Sequence, residues 1–328
     1  MFKEEQTYSI FASDREREIY REIAGLDRIV IHHPGMKAAV DGIKNCIKAS
    51  VWARSPECCM LLGDGGMGKT TIAKMIMAAL PPQTIVKDDC EIDTTPAFYM
   101  SLPPGGKVSH VTEAMLTNLN DRDPLAGSGY SKDRRIARLL TSCGTVIVFI
   151  DELHNLSLIQ QRDPLAGQKI SAWLKGLFNV EATVICLLGT LECQSIFDHS
   201  AELSRRFKNK FLLIPLDCGT PDAPGTLQMF LQKLSAQIVK NTSVTGMPNF
   251  SNYGLALSVF AATQGSIDFA ATLLKDAARN CLLAGRDVVT EEDLAYAFST
   301  GKSSSQALTG NRNPFHMERK HLAKLIRG

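Results

Sequence analysis

Met60-Leu61-Leu62-Gly63-Asp64-Gly65-Gly66-Met67-Gly68-Lys69-Thr70-Thr71 is the stretch whose reading decides the fold. An apolar run enters it, and Ile72-Ala73-Lys74-Met75-Ile76-Met77 leaves it with helical spacing. Between them stands G-x-x-x-x-G-K-[ST], the spacing of a loop that cradles phosphates. Glycines at 63, 65, 66 and 68 are expected to take positive φ and turn their N–H groups inward as an anion-binding nest. Lys69 would reach the β and γ phosphates and Thr70 would set its hydroxyl on Mg²⁺. Asp64, Met67 and Thr71 are the remaining cofactor-binding positions of the loop. A helix opening here aims the positive end of its dipole at the phosphates.

Working outward, Thr145-Val146-Ile147-Val148-Phe149-Ile150-Asp151-Glu152 is a continuous apolar run, the pattern of a strand covered on both faces in a parallel sheet. Its two carboxylates would emerge at the edge where such sheets place ligands. Asp151 then suits the Mg²⁺ shell through water, and Glu152 suits proton acceptance from water attacking the γ phosphate. A third run, Ala182 to Leu188, ends at Gly189-Thr190 and would bring Thr190 beside the phosphate loop. Further strands are expected at Ala97–Met100 and Phe211–Leu216, with helices at Met36–Ser50, Val108–Leu119 and Gln168–Phe178. This alternation predicts an α/β fold, a parallel sheet flanked by helices. From Thr220 the pattern turns all-helical: Thr226–Lys240, Asn252–Thr263, Ile267–Leu283, and a short helix after the N-cap Thr290.

A length of 328 residues with 45% hydrophobic content allows one large domain or two ordinary ones. The net charge of +2 leaves any nucleic-acid contact to a local basic face. The nine cysteines follow no ligand spacing and sit in apolar runs, which argues for reduced thiols and against a metal cluster. No stretch approaches a membrane span and the charged N-terminus lacks a signal-peptide core, so a cytoplasmic protein with no membrane partner is expected.

Other segments carry weaker signals. A charged helix is expected from Ser13 to Ala24, as a docking arm or a solvated face. His33 and Pro34 stand in a turn that would lie beside the adenine in a P-loop ATPase of this layout; a plain turn is the competing reading. Lys107, Arg134 and Arg135, with Lys132 and Arg138 nearby, make either a solvated face or contacts to nucleic-acid phosphates. The last stretch, 301–328, is polar and then basic, consistent with a nucleic-acid tail, a docking peptide or disorder. Arg-Asp-Pro-Leu-Ala-Gly occurs at 122–127 and again at 162–167, which reads as a pair of Asp-Pro turns.

In their order, these motifs resemble the AAA+ ATPase superfamily over roughly residues 28 to 300. Within it the chain is similar to the TniB/TnsC family of transposition ATPases. That narrower resemblance rests on Ile150-Asp151-Glu152-Leu153-His154-Asn155-Leu156, then Gly189-Thr190-Leu191-Glu192, Asp198 and Ala201-Glu202-Leu203-Ser204-Arg205-Arg206-Phe207. It implies an AAA+ P-loop NTPase with a small all-helical lid, using ATP and Mg²⁺, that assembles on double-stranded DNA and links a target-selection protein of the TniQ/TnsD type to a transposase. The self-assembly would be a ring, hexameric or heptameric, or a helical filament. The resemblance gives Lys69 and Thr70 the phosphates and metal, Asp151 and Glu152 the metal and water, and Thr190 the sensing of the γ phosphate. Arg205 or Arg206 would be a finger reaching the neighbouring copy's nucleotide. The chain departs from the pattern at Gly265-Ser266-Ile267-Asp268, where an acid falls near the place of a lid arginine that senses nucleotide.

The expected division is an N-terminal arm (1–28), an α/β ATPase domain (29–219), a helical lid (220–300) and a flexible basic tail (301–328). Competing functions on the same loop are another AAA+ adaptor, such as a helicase loader or secretion-associated ATPase, and a P-loop kinase.

Overall fold

The computed structural model describes the chain except residues 1–10, 12, 54–55, 88–89, 105–106, 163, 178–182, 195–200, 302–306 and 328. In chain order the first elements are α1 (Asp14–Gly25), α2 (Pro34–Ala53), β1 (Cys59–Gly63), α3 (Lys69–Ala78), β2 (Thr84–Lys87), β3 (Cys90–Asp93), β4 (Ala97–Ser101) and α4 (Val108–Asn118). Then come α5 (Gly129–Ser142), β5 (Ile147–Asp151), α6 (His154–Arg162), α7 (Pro164–Leu177), β6 (Val184–Gly189), α8 (Ala201–Arg206) and β7 (Asn209–Leu213). Last are α9 (Thr226–Asn241), α10 (Tyr253–Thr263), α11 (Ile267–Leu283), α12 (Glu291–Thr300) and α13 (Arg319–Arg327). Two compact units result: Gly35–Ile214, and Met1–Pro34 together with Pro215–Gly328.

The first unit holds a five-stranded sheet in the order β4-β5-β6-β1-β7 with every neighbouring pair parallel. Every residue of β1, β5 and β6 is buried, as expected of central strands covered on both faces. Met60, Leu62, Val148, Ile150, Ile185 and Leu187 share a core with Val111, Met115 and Leu116 of α4 and with Ile136 and Leu140 of α5. On α2, a Cβ at Gly42 would come within 2.1 Å of the Phe211 ring, so glycine there lets the helix lie against edge strand β7.

The stretch before β4 contains an antiparallel pair, β2 with β3, that the sequence does not announce. Its strands are four residues long and mix charges with apolar groups, and Thr84 Oγ1 donates to Asp93 Oδ1 at 2.7 Å across them. The repeated hexapeptide also departs from expectation. Residues 122–127 form a loop closed by Gly127 at φ +92°, whereas Pro164 of the second copy opens α7. Proline is pre-set for a first helical position, so the same residues serve a helix start where the next residues propagate one.

The second unit is helical, and its membership differs from the expected division. Ile19 and Ile23 of α1 and the adjoining Leu26 are buried in one core with Leu227, Phe230 and Leu231 of α9 and with α11 residues. An i,i+4 apolar pair inside a run of charges is enough to dock α1, so residues 14–31 belong to the helical core and do not form a separate arm. Ser13 caps α1, accepting the Glu16 N–H at 3.1 Å, and Lys275 Nζ donates to Asp27 Oδ1 at 2.5 Å. The final residues differ from a flexible tail in the same way. Leu322 of α13 is fully buried with Cys218, Leu257 and Ala261, and Arg319 lies over Gly254, where a Cβ would meet its Cδ at 2.4 Å. Among the described residues no single helix is long and apolar enough to cross a membrane.

Candidate functional site

β1 delivers the chain to the loop at the carboxyl edge of the sheet, and α3 begins at Lys69. Two of the four loop glycines take the expected left-handed backbone, Gly66 at φ +75° and Gly68 at φ +89°. The other two do not. Gly63 is required for close approach, since a Cβ there would sit 2.7 Å from the Leu213 carbonyl oxygen of β7; nothing lies within 4 Å of one at Gly65. Lys69 Nζ donates to the carbonyls of Gly63 at 2.6 Å and Asp64 at 2.9 Å, folding its ammonium over the loop. Burial holds its pKa below the usual lysine value, against the pull of Asp151, Asp64 and Glu152. It makes no salt bridge with a carboxylate among the described residues. Met67 is buried, while Asp64 is exposed and Thr71 half-buried on the first turn of α3.

The two carboxylates end β5 but differ in surroundings. Asp151 is buried, and its Oδ1 accepts the Glu152 N–H at 2.6 Å. Its Oδ2 accepts the Tyr99 hydroxyl at 2.5 Å and the Thr70 hydroxyl at 3.4 Å. Glu152 sits at φ +60°, an uncommon backbone for a residue with a Cβ and of a kind that clusters at functional sites. That turn is held by the Asn155 N–H, which donates to the Glu152 carbonyl at 2.8 Å, and by Asn155 Nδ2, which donates to Leu102 O at 2.8 Å. The Glu152 carboxylate projects half-exposed, with His154 Nδ1 3.1 Å away. Tyr99, His154 and Asn155 are therefore parts of the site that motif reading left without a role.

Thr190 follows β6, whose Gly189 follows Leu188 and pairs with Leu62 of β1, so it emerges beside Gly63. Its Oγ1 is 3.6 Å from Cys193 Sγ, a thiol whose pKa is raised chiefly by burial. Arg205 and Arg206 stand at the other end of the strands. They precede β7, whose Asn209 pairs with Cys59 at the start of β1, and the Arg206 charge acts on Cys58. Burial still pushes that thiol up to about 11. The five residues of β1 span roughly 16 Å at strand rise, so these arginines are set a strand's length from the phosphate loop of their own chain.

The remaining sequence candidates lie on other elements. His33 and Pro34 belong to the helical unit; His33 is buried, with its pKa lowered by burial and then by His32 and Lys233. Lys107 is exposed at the N-cap of α4. Arg134 is exposed on α5, whereas Arg135 donates to Asp123 O at 3.0 Å and lies 3.3 Å from Asp121. A cavity of about 520 Å³ is lined by Tyr130, Ser131, Arg134, Arg135 and Arg138. Asp198 lies outside the described residues. Arg279, distant in sequence from the lid-helix start, is engaged by Asp276 at 2.8 Å and stacks 5.7 Å from the Tyr20 ring centre.

The chemistry of this edge fits a magnesium–nucleoside triphosphate. It offers a glycine loop with two left-handed residues at a helix start, an ammonium that makes no salt bridge among the described residues, and a carboxylate and a hydroxyl 3.4 Å apart. Such a metal keeps several waters and takes its other ligands from phosphates, so one Asp and one Thr suffice. Among the described residues no group of three or more His, Cys, Asp and Glu side chains forms a metal cluster. Against known families, the profile described as "Bacterial TniB protein" matches residues 25–213. The chain belongs to the TniB family. No curated protein matches it. Among solved structures, the TniB-family chain is similar to the Aeropyrum pernix ORC2 protein in its ADPNP–ADP complexes, with TM-score 0.59, 14% identity, and coverage of 85% of this chain and 71% of that one. It is similar to Cdc6p from Pyrobaculum aerophilum, with TM-score 0.55, 16% identity and coverage of 85% and 69%. The Aeropyrum pernix ORC1 protein in complex with DNA gives TM-score 0.56, 15% identity and coverage of 82% and 65%. At these identities the likeness establishes the AAA+ ATPase fold alone: a parallel sheet flanked by helices, with a helical unit after it.

Proposed function

We propose that this TniB-family chain is an ATP-dependent regulator of transposition that assembles on double-stranded DNA and connects a target-selection protein to a transposase. The observation that carries the reading is the convergence of Lys69, Thr70, Asp151 and Glu152 on one sheet edge, with Arg205 and Arg206 at the opposite one. An arginine there is poorly placed to serve its own nucleotide and well placed to serve a neighbour's, so hydrolysis would wait on assembly. The related fold seen with ADPNP and ADP in ORC2, and with DNA in ORC1, accords with both halves of the proposal.

In this mechanism the loop N–H groups and Lys69 hold the β and γ phosphates. Lys69 exchanges its two carbonyl acceptors for phosphate oxygens. Thr70 and Asp151 would hold Mg²⁺, which when bound would supply positive charge against the phosphates. Glu152 accepts a proton from the attacking water as its oxygen bonds to the γ phosphorus and the bond to the β–γ bridging oxygen breaks, leaving ADP and phosphate. Thr190 contacts the γ phosphate beside Gly63. Self-assembly as a ring or filament brings in Arg205 or Arg206 from the next copy. Lys107 and Arg134 contact the DNA backbone, which positions without reading sequence, while Arg135, held by Asp121 and Asp123, supports the loop beside them.

Electron micrographs of the full chain with duplex DNA and a non-hydrolysable ATP analogue at low salt test the reading. Rings or filaments that vanish when nucleotide is withheld are expected. Monomers alone under those conditions would overturn the assembly mechanism, and turnover driven by an added metabolite would favour a kinase.

A further inference from the structure

We infer that Tyr99 is a positioning residue for Asp151, presetting the carboxylate that receives Mg²⁺. The inference rests on the nucleotide reading of the site and adds a member that no motif contains. In the β4–β5 register Tyr99 faces Phe149 and Ser101 faces Asp151, so Tyr99 and Asp151 are diagonal neighbours on one face of the sheet. Diagonal pairs lie within reach of an aromatic side chain, and here the phenol hydroxyl ends 2.5 Å from Asp151 Oδ2. A phenol donating to a carboxylate at this length is a charge-assisted bond.

The oxygen that Tyr99 holds is also the one toward which the Thr70 hydroxyl points, while Oδ1 is fixed by the Glu152 N–H. Both oxygens are thus committed before a metal arrives, and the buried carboxylate cannot rotate without losing a donor. Partners that orient a ligating carboxylate in this way commonly change metal affinity by about 10–100-fold when removed. The ring's packing survives in Tyr99→Phe, so the hydroxyl can be tested alone.

The test is a titration of the full chain with a fluorescent ATP analogue at rising Mg²⁺ concentration, repeated in chelator. Tyr99→Phe is expected to raise the Mg²⁺ midpoint about tenfold while leaving affinity in chelator and the melting temperature unchanged. On an Asp151→Asn background the same substitution should produce no further shift, because the oriented group is gone. An unchanged midpoint in Tyr99→Phe, or an equal shift with and without the Asp151 carboxylate, would overturn the inference. Absence of nucleotide binding by the unsubstituted chain would instead overturn the reading beneath it.

Discussion

The sheet edge and the α11–α12 corner of the helical unit use similar groups to opposite ends. At the corner a cation, a carboxylate and a hydroxyl close on one another: Arg286 Nη1 donates to Asp293 Oδ2 at 2.9 Å, and Thr290 Oγ1 donates to the same oxygen at 2.9 Å. The Thr290 N–H adds a third bond at 2.8 Å and completes a capping box at the start of α12. At the sheet edge the hydroxyl and the carboxylate also meet, but the cation stays apart from both. Among the described residues Lys69 bonds the Gly63 and Asp64 carbonyls and makes no salt bridge, Thr70 donates to Asp151 at 3.4 Å, and Glu152 sits on a strained turn. A closed set stabilises the fold; a set held open by other parts of the structure keeps its charge for a ligand.

Substitutions that separate the two regions sharpen this contrast. The largest effect is expected from replacing Arg205 and Arg206 together with alanine: DNA-stimulated ATP turnover should fall roughly 10³-fold or more while single-copy nucleotide affinity holds. Unchanged turnover would remove the arginines from the trans role. Glu152→Gln should lower turnover by about 10²–10⁴-fold with nucleotide still bound, the loss typical of a missing general base. For Lys69→Ala, calorimetry should record nucleotide affinity weaker by roughly 10–100-fold, the value of a bond between charged partners, without a drop in melting temperature. A large drop would mean that Lys69 serves the fold.

The smallest effects belong to the helical corner and appear as stability. Thr290→Ala should cost about 1 kcal/mol, seen as faster amide exchange along α12 with nucleotide affinity unaltered. Its partner sets a pH dependence. The Arg286 guanidinium, with the Thr290 donors, holds the Asp293 carboxyl below the usual carboxylate value. A carboxylate with a lowered folded pKa contributes its stability above the unfolded value and loses it as pH falls through the folded one. Exchange protection of α12 should therefore weaken on acidification below about pH 4, and less so in Asp293→Asn.

How far the sequence could be read depends on the range of the interactions involved. The phosphate loop, the Asp151-Glu152 strand end, Thr190 and the parallel sheet depend on local runs and fixed spacings, and they lie where those spacings put them. Tyr99 reaches Asp151 across 52 positions, and only the β4–β5 register joins them. Gly63 reads as a flexible turn glycine, yet its constraint is the Leu213 carbonyl of a strand far along the chain. Charge hid the apolar seams of α1 and α13, because one or two buried residues among charged ones suffice to dock a short helix. The repeated hexapeptide makes the same case. Identical residues form a loop at 122–127 and start a helix at Pro164, so the choice lies with the neighbouring residues on the C-terminal side.

The central claim is that the open charge set at the sheet edge is completed by a nucleoside triphosphate. The most direct measurement is a structure of the full chain with Mg²⁺ and a non-hydrolysable ATP analogue. The account predicts phosphates inside the turn at 63–68, Lys69 Nζ moved from the Gly63 and Asp64 carbonyls onto phosphate oxygens, and the metal between Thr70 and Asp151. A nucleotide bound elsewhere, with Lys69 still on those two carbonyls, would contradict it.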